Sequence, residues 1–224
     1  MVPYAAAPQF RPVSFEAATH TVRDRFGIRN PFILSVGDLQ PRKNQIGLIR
    51  AFAKLARAHP QLRHDLILAG KETWFAEQVR DAAKASGIAD RIHFSGFVTD
   101  ADLLQLYNAC DVFAFPSFYE GFGLPALEAM ACGRAVVCSN TTSLPEVVDG
   151  AALLFDPYAV DEIARAIADL LFDRELRARM ERLGLQRAVH FSWQKTASQT
   201  LDVFEEVARS VRASGLRRDI GVPN

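Results

Sequence analysis

Two glutamates flank a short glycine-containing turn near the middle of the chain. Glu120 and Glu128 lie in the run Pro-Ser-Phe-Tyr-Glu-Gly-Phe-Gly-Leu-Pro-Ala-Leu-Glu, which spans 116–128. The turn predicts a helix start, where unpaired backbone N–H groups and the helix dipole attract a phosphate. Glu128 would lie roughly two turns into that helix, about 10 Å further along. A carboxylate that accepts two vicinal hydroxyls is a usual partner of a ribose. The segment therefore predicts a clamp for a nucleotide sugar.

A pair of adjacent cations is the second candidate group. Arg42 and Lys43 follow the run Ser-Val-Gly-Asp-Leu-Gln-Pro at 35–41 and precede a predicted helix. Arginine offers a planar fork of donors and lysine a point charge, so together they could neutralise a diphosphate. By itself such a pair is more often a solvated surface feature. Because the glutamate motif occurs in the same chain, the pair of cations is better interpreted as a phosphate site.

Short apolar runs alternate with amphipathic stretches from residue 31 onward. Runs of the first kind predict buried strands, and apolar spacings of three and four residues predict helices. The predicted strands are 32–36, 66–69, 92–94, 111–115, 135–138 and 153–155. The predicted helices are 44–59, a stretch ending near 86, 100–108, 122–131, 161–172, 175–190 and a last helix that Ser192 caps and that ends near 212. This alternation is typical of an α/β fold with a doubly wound parallel sheet.

The carboxyl ends of the predicted strands carry the candidate residues. In a doubly wound sheet the ligand lies beyond these ends. Gly37, Gly70, Gly96 and Pro116 follow directly after four of the strands. The side chains expected to converge there are Lys43, Lys71, Phe97 and Glu120.

Taken together, these motifs resemble the donor-binding, C-terminal half of a retaining glycosyltransferase of family 4, which has the GT-B fold. The resemblance runs from about Pro31 to Glu206, and its most specific part is the pair Glu120 and Glu128. Supporting matches are Gly-Asp-Leu-Gln-Pro-Arg-Lys-Asn at 37–44, Leu-Ala-Gly-Lys at 68–71, Phe-Ser-Gly-Phe-Val at 94–98, Glu-Ala-Met-Ala-Cys-Gly at 128–133, Ser-Leu-Pro-Glu-Val at 143–147 and Leu-Leu-Phe-Asp-Pro at 153–157. The resemblance implies a Rossmann-like sheet.

The resemblance also implies roles for individual residues. Arg42 and Lys43 would hold the leaving diphosphate, and Glu120 would contact hydroxyls of the transferred sugar, so these three are the catalytic candidates. Glu128 would bind the ribose. The full set of implied donor-binding residues is Gly37, Gly70, Phe97, Val98, Gly121, Phe122, Gly123, Leu124 and Glu128.

Two positions leave alternatives open. Many family members have an arginine directly after the strand glycine, where this chain has Asp38. Either Arg42 supplies that charge or the affinity for phosphate is reduced. Phe97 either borders the base of the nucleotide, together with Val98, or packs in the core.

The resemblance implies a metal-independent reaction without a cofactor, since cations and a helix start can stabilise the leaving diphosphate. The Pro-Arg-Lys-Asn loop resembles that of mannosyltransferases, so the resemblance implies GDP-mannose as the favoured donor, with UDP-glucose next. A non-catalytic sugar-nucleotide-binding module and an enzyme like UDP-N-acetylglucosamine 2-epimerase are the alternatives. A nicotinamide-dependent dehydrogenase is disfavoured, because no Gly-x-Gly-x-x-Gly follows the first strand.

The predicted organisation is an interdomain linker at 1–30, a Rossmann-like sugar-nucleotide-binding domain at 31–190, a C-terminal helix at 191–213 and a tail at 214–224. The family implies a second, N-terminal domain that binds the acceptor. The last helix would cross back to it. We expect this chain alone to be inactive as a transferase.

Composition excludes some partners. The 26 Lys and Arg residues balance 26 Asp and Glu residues among 224, which gives no electrostatic case for nucleic acid. No apolar run approaches the roughly 20 residues that span a bilayer. These features predict a cytoplasmic location, with any membrane association made by the full-length enzyme at the inner face. Cys110, Cys132 and Cys138 are expected to be reduced core residues.

Overall fold

Across residues 2–213, the part of the chain that the computed structural model describes, six strands form one parallel sheet. The strands are β1 (Phe32–Val36), β2 (Asp65–Ala69), β3 (Ile92–Gly96), β4 (Val112–Phe115), β5 (Ala135–Ser139) and β6 (Leu153–Phe155). Their order in the sheet is β3-β2-β1-β4-β5-β6. The α/β, Rossmann-like fold predicted from the sequence is confirmed, and the predicted strands are correct to within two residues at each end.

Helices cover both faces of this sheet. Within the described residues they are α1 (Phe15–Phe26), α2 (Gln45–Ala58), α3 (Ala76–Ala85), α4 (Asp100–Ala109), α5 (Leu124–Ala131), α6 (Leu144–Val148), α7 (Val160–Phe172), α8 (Arg174–Ala188) and α9 (Trp193–Ala213). Successive strand residues alternate between two cores, as the two-residue repeat of a strand requires. Ile33, Val112 and Ala114 pack under α2 and α7, whereas Leu34 and Phe113 pack under α4 and α5.

The first thirty residues differ from the prediction of a linker without a core element. Helix α1 packs against α4, with Ser14 Oγ accepting a hydrogen bond from the N–H of Ala17 at its start. Only Ala18 and Val22 of its twelve residues are buried, so the apolar spacing is too sparse to reveal a helix. Phe10 is also buried in the core that α1 joins.

The C-terminal helix agrees with its predicted bounds. Helix α9 begins at Trp193, and Ser192 Oγ accepts a hydrogen bond from the N–H of Lys195 at 3.2 Å. The predicted tail at 214–224 lies outside the described residues. No helix within 2–213 has both the length and the apolarity to cross a bilayer. The three cysteines are buried and free, as expected.

The sheet order fixes where a ligand can lie. β1 pairs with β2 on one side and with β4 on the other, so the chain reverses its direction of progress at β1 and β4. Loops that leave such a switch point diverge and open a crevice at the carboxyl ends of the strands. The two loops at this crevice are the ones that carry Lys43 and Glu120.

The loops after β1 and β2 approach each other so closely that only glycine fits at position 70. Gly70 has φ of +156°, and a Cβ added to it would lie 2.2 Å from the carbonyl oxygen of Gly37. Gly87 also has a positive φ, +77°, but a Cβ there would meet nothing within 4 Å.

We expect Gly70→Ala to destabilise the protein more than Gly87→Ala. Gly87→Ala carries the left-handed backbone penalty of about 1–2 kcal/mol. Gly70→Ala also carries a backbone penalty, because its φ lies in a region essentially restricted to glycine, and it adds an overpacking cost of about 1–3 kcal/mol. Urea unfolding of the two variants measures the difference. If the two variants lose the same unfolding free energy, the loops after β1 and β2 move apart to admit the Cβ without a cost in stability.

Candidate functional site

A tight turn after β1 places the two cations. Residues Pro41–Lys43 form a single 3₁₀ turn, and Asn44 follows with φ of +52°. The Asn44 side chain accepts a hydrogen bond from the N–H of Gly47 at the start of α2 and donates one to the carbonyl oxygen of Pro157 at 2.8 Å. The turn is therefore tied to its own helix and to the loop after β6.

Lys43 runs back across the end of β1. A Cβ added to Gly37 would lie 3.0 Å from Lys43 Cε, so the lysine stem occupies the space that this glycine leaves. The ammonium lies 4.8 Å from the centroid of the Phe115 ring at the end of β4. Lys43 is only 8% exposed, although it is a lysine.

A buried ion pair joins the two predicted motifs. Lys43 Nζ lies 2.6 Å from Glu120 Oε1, and Arg42 Nη1 lies 3.2 Å from Glu120 Oε2. Glu120 is 9% exposed, whereas the Arg42 side chain is half-exposed. Burial lowers the pKa of the Lys43 ammonium below its ordinary value, and the hydrogen bond and charge of Glu120 oppose that shift. Glu120 thus helps to keep the lysine charged inside the protein.

The loop after β5 supports Glu120 through the backbone. Thr142 Oγ1 accepts a hydrogen bond from the N–H of Glu120 at 3.1 Å, and Ser143 Oγ donates one to the Glu120 carbonyl at 3.0 Å. Thr142 holds an uncommon φ of +53°. The sequence analysis missed Thr142, and the run Thr-Thr-Ser after a strand was the available signal.

The glycine turn forms the wall of an open pocket. Residues Glu120–Pro125 line it together with Val2 and Tyr4, and its volume is about 470 Å³. Gly123 has φ of +101°, and a Cβ there would lie 2.4 Å from Leu144 Cδ2. Among the residues described, no side chain caps the start of α5. The positive end of that helix is therefore available to an anion.

Phe122 anchors this turn from below. It is 7% exposed, and its ring packs edge-on against Tyr4 at 5.5 Å and Phe191 at 5.7 Å between centroids. Leu124 is partly buried against the same core, and Gly121 is exposed. The apolar members of the predicted motif thus fix the turn, while its backbone faces the pocket.

Glu128 lies within α5, as predicted, but about one turn rather than two from the start of the helix, because α5 begins at Leu124. It bonds to a residue that was not predicted from the sequence. The hydroxyl of Tyr107, on α4, donates to Glu128 Oε2 at 2.9 Å. Burial raises the pKa of Glu128, and the hydrogen bond from Tyr107 partly offsets the rise. Tyr107 sits in an ordinary apolar stretch, so no local pattern distinguishes it from a core aromatic residue.

Phe97 and Lys71 meet at the outer side of the crevice. Phe97 is 67% exposed, so the alternative that it packs in the core is wrong. Lys71 Nζ lies 5.0 Å from the Phe97 ring centroid, and Val98 is partly buried against the core. Asp38 accepts a hydrogen bond from the N–H of Lys71 at 2.9 Å, which ties the loops after β1 and β2 together.

The structure therefore brings Arg42, Lys43 and Glu120 into direct contact. Glu128, in α5, accepts its hydrogen bond from Tyr107, and Phe97, after β3, has the Lys71 ammonium over its ring. Within residues 2–213 no group of three or more histidine, cysteine, aspartate or glutamate side chains is arranged to hold a metal ion.

Comparison with known proteins identifies related chains. Residues 21–187 match the family model described as glycosyl transferases group 1. The O-antigen chain mannosyltransferase B of Escherichia coli is 42% identical over 174 residues, which cover 78% of this chain and 45% of that protein. The serotype-specific mannosyltransferase WbdA of Escherichia coli is 38% identical over 213 residues, or 92% of this chain and 26% of that protein. The chain thus spans between a quarter and a half of the length of these relatives.

Solved structures share the fold. Sucrose-phosphate synthase from Thermosynechococcus elongatus superposes with a TM-score of 0.79 at 26% identity, covering 93% of this chain and 52% of that one. Anabaena HepE in complex with UDP and glucose gives the same TM-score and identity, covering 92% of this chain and 56% of that one.

The Lys43–Glu120 pair generates a stability prediction. We expect Lys43→Met or Glu120→Gln alone to cost about 3 kcal/mol, the lower end of the range for a broken buried pair. Glu120→Gln leaves the buried Lys43 without its carboxylate, and Lys43→Met leaves the buried Glu120 with only the half-exposed Arg42 as a partner. The double variant removes both charges and should cost much less than the sum. Urea unfolding of the four proteins gives the coupling energy.

The exposed pair Lys54–Asp161 provides a matched control. Its coupling energy in the same experiment should not exceed about 1 kcal/mol. Strictly additive losses at Lys43 and Glu120 would contradict the electrostatic role of the pair.

Proposed function

Because the chain belongs to the glycosyl transferases of group 1, we propose that it binds a nucleoside diphosphate sugar as the donor half of a retaining hexosyltransferase. The observation that carries the proposal is the contact of Glu120 with both Lys43 and Arg42 beside the start of α5. Two cations, one carboxylate and a helix N-terminus leave an excess of positive charge at the crevice. A diphosphate is complementary to that charge.

The same groups suit the chemistry of transfer. When the bond between the anomeric carbon and the phosphate oxygen breaks, negative charge grows on the leaving diphosphate. Lys43, Arg42 and the N–H groups of the glycine turn are donors held near that charge before the reaction. An acceptor hydroxyl forms the new bond to the anomeric carbon, and its proton passes to the leaving phosphate. Retention follows if attack comes from the same face.

Glu120 has two tasks in this proposal. Before the donor arrives, its oxygens bind Lys43 and Arg42. When the diphosphate binds, Lys43 and Arg42 donate some of their hydrogen bonds to the phosphate oxygens, and Glu120 accepts hydrogen bonds from hydroxyls of the sugar. Glu128 binds the ribose, and the exposed Phe97 borders the base.

The proposed sugar and base of the donor are supported by what is named in related proteins. Two of the relatives are named mannosyltransferases, and HepE holds UDP and glucose. We therefore propose GDP-mannose as the donor, with UDP-glucose as the next candidate.

We also propose that the donor half works with a second domain that binds the acceptor. The relatives are two to four times longer than the matched segment. Helix α9 carries exposed apolar side chains, Leu201 at 60% and Phe204 at 64%, which such a domain would cover. Because transfer depends on a positioned acceptor hydroxyl, we expect the 224-residue chain assayed by itself to bind donor without acceptor-dependent transfer.

A panel of nucleotide sugars tests donor binding. GDP-mannose, UDP-glucose and an ADP-sugar are added to the chain, and the ligand that binds the native state raises its Tm. We expect GDP-mannose to give the largest shift, and EDTA to leave that shift unchanged. Replacing Arg42 and Lys43 together, by Ala and Met, should abolish it while circular dichroism shows a folded protein.

The matched control for this panel is Arg50→Ala with Lys54→Met, which removes one arginine and one lysine from the adjacent helix α2. Its Tm shift should equal that of the unsubstituted chain. A shift that survives loss of Arg42 and Lys43, or that disappears with EDTA, would refute the cationic, metal-free diphosphate site.

Glu120→Gln should separate the sugar from the diphosphate. With the neutral amide, Lys43 and Arg42 lose their counter-charge, so GDP should bind at least as tightly as before. The affinity advantage of the sugar nucleotide over GDP should fall by roughly 10-fold or more, because a hydrogen bond to a charged group contributes at least about 1.5 kcal/mol. Calorimetric titration of both ligands gives the ratio. Equal weakening of GDP and GDP-mannose would mean that Glu120 only supports the loop.

A further inference from the structure

The core of the protein contains one phenol whose hydroxyl points at a carboxylate of the proposed site. Tyr107 is fully buried in α4, and its hydroxyl donates to Glu128 Oε2 at 2.9 Å. The ring packs edge-on against Phe10 at 5.6 Å and against Phe113 at 5.4 Å between centroids. Such contacts leave the ring no room to turn aside, so the hydroxyl is fixed in space by the aromatic core.

The hydrogen bond from Tyr107 holds only one oxygen of the Glu128 carboxylate. Among the described residues, Glu128 Oε2 bonds to Tyr107 and Oε1 has no hydrogen-bond partner. The side chain is only partly buried. Without the phenol, the carboxylate of a glutamate has several rotamers, and a vicinal diol would have to select one of them at an entropic cost.

We propose that Tyr107 is a positioning residue for ribose recognition, which fixes the Glu128 carboxylate with one oxygen held by the phenol and the other presented to the ribose hydroxyls. The inference rests on the proposed function, in which Glu128 binds the ribose. It assigns a binding role to a residue that contacts no ligand itself.

Tyr107 also affects the charge of Glu128. Burial raises the pKa of Glu128, the hydroxyl of Tyr107 lowers it, and Asp100 at the start of α4 raises it. Cys132, which directly follows α5, is neutral near pH 7 because burial raises the pKa of its thiol to about 12. The phenol is thus the group on α4 that favours the ionised form of the carboxylate.

The sign of the pH effect follows from these contributions. Without the hydroxyl, the pKa of Glu128 rises further, so the carboxylate takes up its proton at a higher pH. Affinity that depends on the ionised carboxylate is then lost at a higher pH as the solution is acidified. A purely structural role for Tyr107 would not move this profile.

The test compares GDP and UDP with their 2′-deoxy counterparts, by calorimetric titration of the 224-residue chain between about pH 5 and 8. We expect Tyr107→Phe to weaken the better-binding nucleoside diphosphate about 3- to 10-fold at pH 7 and its 2′-deoxy counterpart much less. The affinity ratio between the nucleoside diphosphate and its 2′-deoxy counterpart should therefore decrease. The loss of affinity on acidification should begin at a higher pH. Glu128→Asp, which keeps the charge but shortens the reach to the phenol, should shrink the preference in the same way.

Two controls separate the inference from the function on which it rests. In a Glu128→Gln background, Tyr107→Phe should change neither the ribose preference nor the pH profile. Thr196→Val removes another buried hydroxyl, one that donates to Pro3, and should leave nucleotide affinity unchanged.

The outcomes are distinct. If Glu128→Gln weakens the nucleotide and Tyr107→Phe lowers only the Tm, with preference and pH profile intact, the positioning role is overturned and the proposed function stands. If Glu128→Gln itself leaves affinity unchanged, the ribose role of Glu128 fails, and the role of Tyr107 fails with it.

Discussion

Lys43 and Glu120 are 77 positions apart in the chain, and the order of the strands brings their charges within 2.6 Å of each other. Both side chains are buried, so neither charge could be there without the other or an equivalent counter-charge. This requirement constrains the loops after β1 and β4 at once. Each loop must hold its backbone in place while the side chains meet across the switch point of the sheet.

The residues around the pair meet that requirement by different means. Gly37 leaves the space through which the lysine stem passes, and Asn44 adopts a left-handed conformation that ends the turn and begins α2. Thr142 binds the backbone of Glu120 from a third loop. Since the glutamate is held through its main chain, in the proposed function its carboxylate exchanges a cation for a sugar hydroxyl without the loop moving.

The sequence could predict the parts that depend on local pattern. Strands β1 and β2, each followed by a glycine, are buried over nearly their whole length, so their apolar runs are easily recognised in the sequence. Parallel strands must bring their following loops together, which predicted the meeting of Lys43 and Glu120. Helix α1 was missed because it buries too few residues to show periodicity. Tyr107 and Thr142 were missed because each acts on a partner from another element, and only the folded chain shows which partner that is.

The strand order also sets the distance between the loops that follow β3 and β4. β3 and β4 are separated by three strand spacings, or about 14 Å. Phe97 follows β3 and Glu120 follows β4. In the proposed function, the base and the sugar are therefore bound by loops that are separated by this distance. Because different loops read them, substitutions at one end can alter the base preference while the diphosphate and sugar contacts stay as they are. On the proposed function, this spacing of the loops would let the base preference evolve separately from the sugar preference on one architecture.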